Sequence, residues 1–302
     1  MRVWSHDHLS FPLPAGHRFP AGKYGLLRER VEQAGLVGPG EVLRPEPVAW
    51  AALHAVHDDA LLERIRSGGL AVREERALGL PWSEQLVLRA RSAVAGTVAA
   101  ARHALEGGIA MNLGGGTHHA GRDFARGFCL FNDVAVAVAR LRAGGDAGRV
   151  VVVDCDVHQG DGTAQLLAGD RDAFTLSLHG ARNYTFRRIP SDLDVDLPTG
   201  TGDEAYLRAL DEALDTALDG RRPELCFYLA GADPWEGDRL GRLSLTKPGL
   251  LARDELVLDR LAAAGAAVCV VLAGGYAPDV RDVVDINEAT ARAVHARYGR
   301  PT

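Results

Sequence analysis

The residues best suited to chemistry lie in the stretch VVVVDCDVHQGDGT, from Val150 to Thr163. Asp154, Asp156, His158 and Asp161 follow directly on four consecutive valines. Asp156 and His158 are two apart, so at an extended strand end their side chains point to one side. A carboxylate and an imidazole placed this way begin a zinc or iron site. Asp154 shares their parity and is either a third ligand or a carboxylate behind the ligands. Turn chemistry accounts for Asp161-Gly162. It does not account for three acids and a histidine crowded behind an apolar strand.

A second constellation is Gly114-Gly115-Gly116-Thr117-His118-His119. Its glycines let the backbone turn sharply and approach a ligand closely. Adjacent histidines in such a loop can both face one cavity. No Gly-Lys-Ser/Thr follows, so this is not a phosphate loop. Other candidates are His179, Asp233 and Tyr276, each just past an apolar run. Asp156, His158 and Asp233 would supply two carboxylates and one imidazole, enough for a catalytic zinc with an open position. Such a metal polarises a carbonyl and acidifies water. His118 and His119 then suit acid and base work, with Asp154 and Asp161 available to fix their tautomers. Tyr276 could donate a hydrogen bond to an oxyanion. The chemistry indicated is metal-assisted hydrolysis of a carbonyl compound, most simply an amide. His6, His8 and His17 fall in a proline-rich loop and read as solvated, while His54 and His57 read as partly buried structural residues.

The elements that must position these groups follow from periodicity. Val150–Val153 are β-branched and read as a strand buried on both faces, as in a parallel sheet. Further strands are expected at Arg2–Ser5, Ile109–Leu113, Ala173–His179, Leu225–Ala230 and Ala267–Leu272. Helices are expected at Lys23–Ala34, Pro45–His57, Asp58–Arg66, Pro81–Leu105, Val134–Leu141, Thr163–Leu167, Asp203–Leu218, Pro248–Ala263 and Val280–Arg297. Asn132 or Asp133, and Asp203, are expected to cap helices, and Arg182–Asp196 reads as irregular. Alternation of strand and helix predicts an α/β fold: three layers, a doubly wound, mostly parallel sheet with helices on both faces. The strand ends that carry the candidate residues should then emerge at one rim. Without repeats or a low-complexity linker, 1–302 reads as one catalytic domain.

Composition narrows the function classes. The 302 residues are 47% hydrophobic and 25% charged, ordinary for a globular chain. A formal charge of -6 offers no basic surface for nucleic acid. Basic residues are almost all arginine. Cys129, Cys155, Cys226 and Cys269 show no CxxC spacing, which fits free thiols in a reducing, cytoplasmic setting. The N-terminus lacks the apolar core of a signal peptide, and Leu261–Gly275 is too short to span a bilayer. No membrane partner is expected, and oligomeric state is not legible.

GGTHHA, GFCLFND, VVDCDVHQGDGT, AGADPWEGDRLG and LAGGY, in this order and spacing, resemble the histone deacetylase family, with the arginase–deacetylase fold. The resemblance covers nearly the whole chain, and HRFPAGKYGLL and EGDRLGRLSLT look closest to the class IV branch and its bacterial relatives. It implies zinc ligands at Asp156, His158 and Asp233, with Fe²⁺ as the alternative metal. It implies a tandem catalytic pair at His118 and His119 with partners Asp154 and Asp161, and an intermediate-stabilising Tyr276. Gly127 and Phe128 match the tunnel wall that grips the acyl chain, with Phe186 as the facing wall and Gly274 and Gly275 as further substrate contacts. Asp154, Asp156, His158, Ser177 and Leu178 match a structural potassium site. Gln159 stands where many relatives have a second histidine. Thr117 replaces a common Pro-Gly, and Pro81-Trp82-Ser83 offers no acid of the kind that class I enzymes use to clamp the substrate backbone. The implied activity is hydrolytic removal of acetyl or longer acyl groups from lysine. The alternative is a small acylated amine as substrate, as for an acetylpolyamine deacetylase.

Overall fold

In the computed structural model, which describes residues 1–298, Val150–Asp154 forms a strand whose valines alternate between two separate cores. Val151 and Val153 join one apolar cluster, and Val150 and Val152 the other. A strand with no polar face needs cover on both sides, and the chain supplies it as helices. In order, the elements are β1 (Val3–Trp4), α1 (Lys23–Gln33), β2 (Val42–Leu43), α2 (Trp50–His54), α3 (Asp59–Ser67), α4 (Val72–Leu78), α5 (Glu84–Gly107), β3 (Ile109–Asn112), α6 (Asp133–Gly144), β4 (Val150–Asp154), α7 (Asp161–Leu167), β5 (Ala173–Gly180), β6 (Leu193–Leu197), α8 (Asp203–Leu218), β7 (Leu225–Leu229), α9 (Lys247–Ala263), β8 (Ala267–Val271) and α10 (Val280–His295). Positions 299–302 of the expected single domain lie outside the described residues.

The strands form one eight-stranded sheet in the order β2-β1-β3-β8-β7-β4-β5-β6. All seven pairings are parallel. This is the three-layer α/β fold expected, with the sheet wholly rather than mostly parallel. Helices α1, α8, α9 and α10 cover one face, and α2, α3, α5, α6 and α7 the other. The adjoining strands β3, β8, β7 and β4 lead into the GGGTHH loop, the LAGGY segment, Asp233 and the DCDVH segment. Parallel strands put all four of these at one edge.

Several expectations need correcting. Arg182–Asp196 is not wholly irregular, since its end enters edge strand β6, which carries a polar, partly exposed face. Helix α4 and the two-residue strand β2 were not legible. Within Pro45–His57 only Trp50–His54 is helical, and α7 begins at Asp161, not Thr163. Asn132 caps α6, accepting from the Ala135 amide at 2.9 Å. Asp203 does not cap α8. Its carboxylate accepts from the Thr246 amide and hydroxyl instead, clasping α8 to the start of α9.

His57 is buried and ties the loops near the site together. Its Nδ1 donates to the Gly121 carbonyl at 2.7 Å, and its Nε2 accepts from the Asn132 amide at 3.1 Å. Those roles need the neutral ring, and burial pushes its pKa down to about 4. His54, in contrast, is exposed. Because the unfolded chain takes up the proton first, stability is fully present above about pH 6.5 and falls towards pH 4. That loss should reach ~3 kcal/mol. Urea titrations across this range should show a shallower pH slope for His57→Gln than for the unaltered chain. An unchanged slope would remove His57 as the titrating group.

Candidate active site

The Val150–Val153 strand delivers Asp154, Asp156 and His158 to the sheet edge, where Asp233 meets them from the end of β7. Ligand atoms of Asp156, His158 and Asp233 all lie within 4.8 Å of one another, and all three residues are buried. His158 Nδ1 is 2.9 Å from Asp156 Oδ1 and 3.3 Å from Asp233 Oδ2. The other carboxylate oxygens are held by backbone amides. Asp156 Oδ2 accepts from Gly274 at 2.7 Å, and Asp233 Oδ1 from Val157 at 2.9 Å. Asp233 Oδ2 has no hydrogen bond although it is buried. Burial, then the nearby Asp156 carboxylate, push Asp233 upward. Two carboxylates and an imidazole converging with one oxygen unpartnered is a donor set that fits a divalent cation.

His118 and His119 stand beside this cluster, with ring centroids 4.1 Å apart. Each Nδ1 is bound to a carboxylate at 2.6 Å, His118 to Asp154 and His119 to Asp161. Arg126 reaches the other oxygen of Asp161. The two rings differ electrostatically. Burial would lower His118, but Asp154 and Asp156 outweigh it and hold it at about 9. Burial and the neighbouring His118 and His158 push His119 well below its ordinary value. A cationic ring therefore sits next to a neutral one.

The loop bearing these histidines is anchored by a residue that the sequence marks only as a helix cap. Buried Asp133 accepts from the amides of Gly116 and Thr117 and from the hydroxyls of Thr117 and Thr97, all within 3 Å. Asp238 does the same for the tyrosine segment. Its carboxylate accepts from the Tyr276 amide at 2.6 Å and from Leu240 and Gly241. Arg253 is fully buried, and one guanidinium nitrogen donates to the carbonyls of Gly231 at 2.6 Å and Cys155 at 3.4 Å. It thereby ties the segments carrying Asp233 and Asp156 from behind, and Asp254 balances its charge at 2.8 Å. Its signal was present in the sequence: Arg253 falls between Leu250 and Val257 at helical spacing, on the buried face of α9.

His118, His119, Asp156 and His158 lie at the buried floor of a cavity of about 670 Å³. Gly127 and Phe128 form one wall, with Phe128 at φ 66°. This uncommon conformation for an aromatic residue is held by backbone hydrogen bonds, the Gly127 amide donating to the Ala77 carbonyl and the Phe128 amide to the Leu78 carbonyl. A side chain on Gly127 would collide with the His119 ring at 2.5 Å. Tyr276 lines the cavity beside Phe128, and burial followed by Asp156 and Asp233 keeps its phenol well above the ordinary range. Phe186, matched to the facing wall, does line the cavity. It stands at the mouth, 90% exposed, and the ring that meets His119 edge-on at 5.3 Å is Tyr184. Gly274 lines the cavity, but Gly275 does not, and faces Val283 and Ala232. Asp154 pairs with Ser177 across β4 and β5, with Leu178 next in line, so the residues matched to a potassium site adjoin. His6, expected to be solvated, is buried on the inner side of the cavity against Tyr24.

The histone deacetylase domain model matches residues 17–291. An uncharacterized protein of Picosynechococcus sp. is 40% identical over 296 residues, covering 98% of each chain. Histone deacetylase 2 of Arabidopsis thaliana is 31% identical over 274 residues, covering 86% of this chain and 70% of its own. The crystal structure of an HDAC homolog from Aquifex aeolicus superposes with a TM-score of 0.83 at 22% identity, covering 98% of this chain and 84% of that one.

Gly274 offers a test of the metal reading that keeps every donor residue and displaces only its position. A Cβ there would fall 2.0 Å from Asp233 Oδ2 and 2.6 Å from Asp156 Oδ2. Gly274→Ala should weaken zinc retention against a chelator by about tenfold or more, with the far-UV circular dichroism unchanged. Undiminished retention would mean that these two carboxylates do not share an ion.

Proposed function

The chain belongs to the histone deacetylase family, a family of hydrolases, and on that premise we propose that it removes acyl groups from lysine side chains with the help of a bound metal. One observation carries the reading. Asp156 and His158, which cluster with Asp233, line the same cavity as a neutral histidine whose Nδ1 is bound to a carboxylate. Zinc held by those three residues would polarise the acyl carbonyl and acidify a water molecule, and ferrous iron suits the same ligands.

The rest of the chemistry is proton handling by the chain. Asp161 holds the proton of His119 on Nδ1, so Nε2 carries the lone pair and faces the cavity. It takes a proton from the attacking water and returns it to the departing amine. His118, held by Asp154 at 2.6 Å, is the ring of the pair that the surrounding carboxylates push upward, and it stands beside the reacting carbonyl. The Tyr276 hydroxyl stays protonated and donates to the oxygen that gains charge as the carbonyl is attacked. Phe128 and Tyr184 flank the route to His119 and grip the alkyl chain of the lysine. A potassium ion at Asp154, Asp156, His158, Ser177 and Leu178 would stiffen the ends of β4 and β5. The four free, buried cysteines support a reducing, cytoplasmic setting.

Two variants separate these roles. Tyr276→Phe should lower kcat for an acyl-lysine peptide by about 10²–10³-fold, the usual loss for one oxyanion donor. His119→Ala should keep bound zinc and lose turnover. Near-normal rates in either variant would strike that residue from the mechanism.

A further inference from the structure

The charges at the mouth of the cavity bear on which substrates can enter it. Seven exposed residues line the cavity, and exposed liners stand at its open end. Five of them are arginines: Arg18, Arg76, Arg182, Arg239 and Arg242. The other two are Ala77 and Phe186, so no acid stands among them. Asp156 on the floor is the one carboxylate lining the whole cavity among the described residues.

This rim is not the solvated face of a single helix. Arg18 precedes α1, Arg76 lies in α4, Arg182 follows β5, and Arg239 and Arg242 follow Asp233. Nearby arginines are paired, Arg64 to Glu74 and Arg188 to Asp196. None of the five pairs with a carboxylate among the described residues. Asp238, beside Arg239 in sequence, turns inward to accept backbone amides. The clustering runs against the chain's composition, since 40 acidic residues outnumber 34 basic ones. A ring of like charge around a low-dielectric cavity focuses potential and sorts what can approach it.

We propose that the mouth selects acyl-lysines carried on acidic peptide segments and turns away polycationic ones. This deepens the deacylase reading and rests on it. Carboxylates flanking the lysine would meet unpaired guanidinium groups, which bind carboxylates in two-pronged fashion. Lysine- and arginine-rich segments, such as histone tails, would meet like charge. So would an acylated polyamine, whose remaining amines are cationic. Selection by repulsion is as effective as selection by contact.

The test uses zinc-loaded protein and three acyl-lysine peptides that differ only in flanking residues: Asp/Glu, Gly/Ser or Lys/Arg. Each is made with an acetyl and with a long fatty acyl group. At low salt, about 20 mM, kcat/KM should favour the acidic peptide over the basic one by about tenfold or more, and the ratio should shrink at roughly 0.5 M. Arg76→Glu combined with Arg242→Glu should abolish or invert the preference while the neutral peptide is cleaved as before. Both side chains are exposed, so the fold should tolerate the exchange. Equal kcat/KM for acidic and basic peptides, or a preference that survives the double variant, would overturn the proposal. Equilibrium binding of the labelled peptides, read by fluorescence anisotropy, tests the same order of preference independently of turnover. If no peptide is cleaved, the deacylase reading fails, and the binding order still decides whether the rim selects acidic segments.

Discussion

Four carboxylates buried within one small volume set the terms for the rest of this structure. Asp154, Asp156, Asp161 and Asp233 are each at most 2% exposed. An isolated buried carboxylate costs several kcal/mol, so each needs a partner of opposite charge or a set of donors. The fold provides them in layers. His118 and His119 take Asp154 and Asp161, backbone amides of 156–158 and 274 take most of the remaining oxygens, and Arg126 covers the far side of Asp161. Only Asp233 Oδ2 is left over, and it points at the His158 Nδ1 that a metal would share.

That requirement explains why the backbone is strained or glycine where it is. An amide can reach Asp156 Oδ2 from Gly274 only if nothing projects from that α-carbon. Ala273, just before it, sits at φ 45°, and Phe128 on the opposite wall at φ 66°. Conformations of this kind persist only where surrounding bonds over-determine them. Here the Ala273 amide is held by Gly115 and the Phe128 amide by Leu78, both from other elements. Asp133 and Asp238 repeat the device at longer range, each using one buried carboxylate to gather several amides of a loop. The parallel sheet makes this possible, because four adjoining strands end on the same edge and their loops are close enough to donate to one another.

The metal-type cluster was legible because its signals are local. Four valines announce a doubly buried strand, and the parity of 154, 156 and 158 puts three polar groups on one side of its end. Non-local partners were not legible in this way. Arg253 looks like any helical arginine until Leu250 and Val257 are seen to share its face. Asp133 and Asp203 both read as helix caps, and both bind a distant loop. Edge strand β6, LDVDL, hides in an acidic stretch because an edge strand with one wet face shows only a weak apolar pattern. Helix α4, VREERAL, is too short and too charged for periodicity to declare it. Phe186 offers a ring in the right segment, but the chain places Tyr184 against His119 and leaves Phe186 exposed at the cavity's edge.

The division between floor and rim follows from the same physics. Floor residues are constrained by desolvation: once buried, a charge must be matched, and the arrangement can be recognised from short motifs. Rim residues carry no such penalty. Exposed arginines on four separate segments can be exchanged for either sign or none without disturbing the sheet, and surface charges of this kind are worth little to stability. What they do contribute to is the field at the opening, which acts on a charged molecule before any contact is made. Reaction type is therefore written into the buried, sequence-local part of this chain. The arginines of the opening are surface residues that only the folded chain brings together, which is why the net charge of -6 gives no hint of a basic opening.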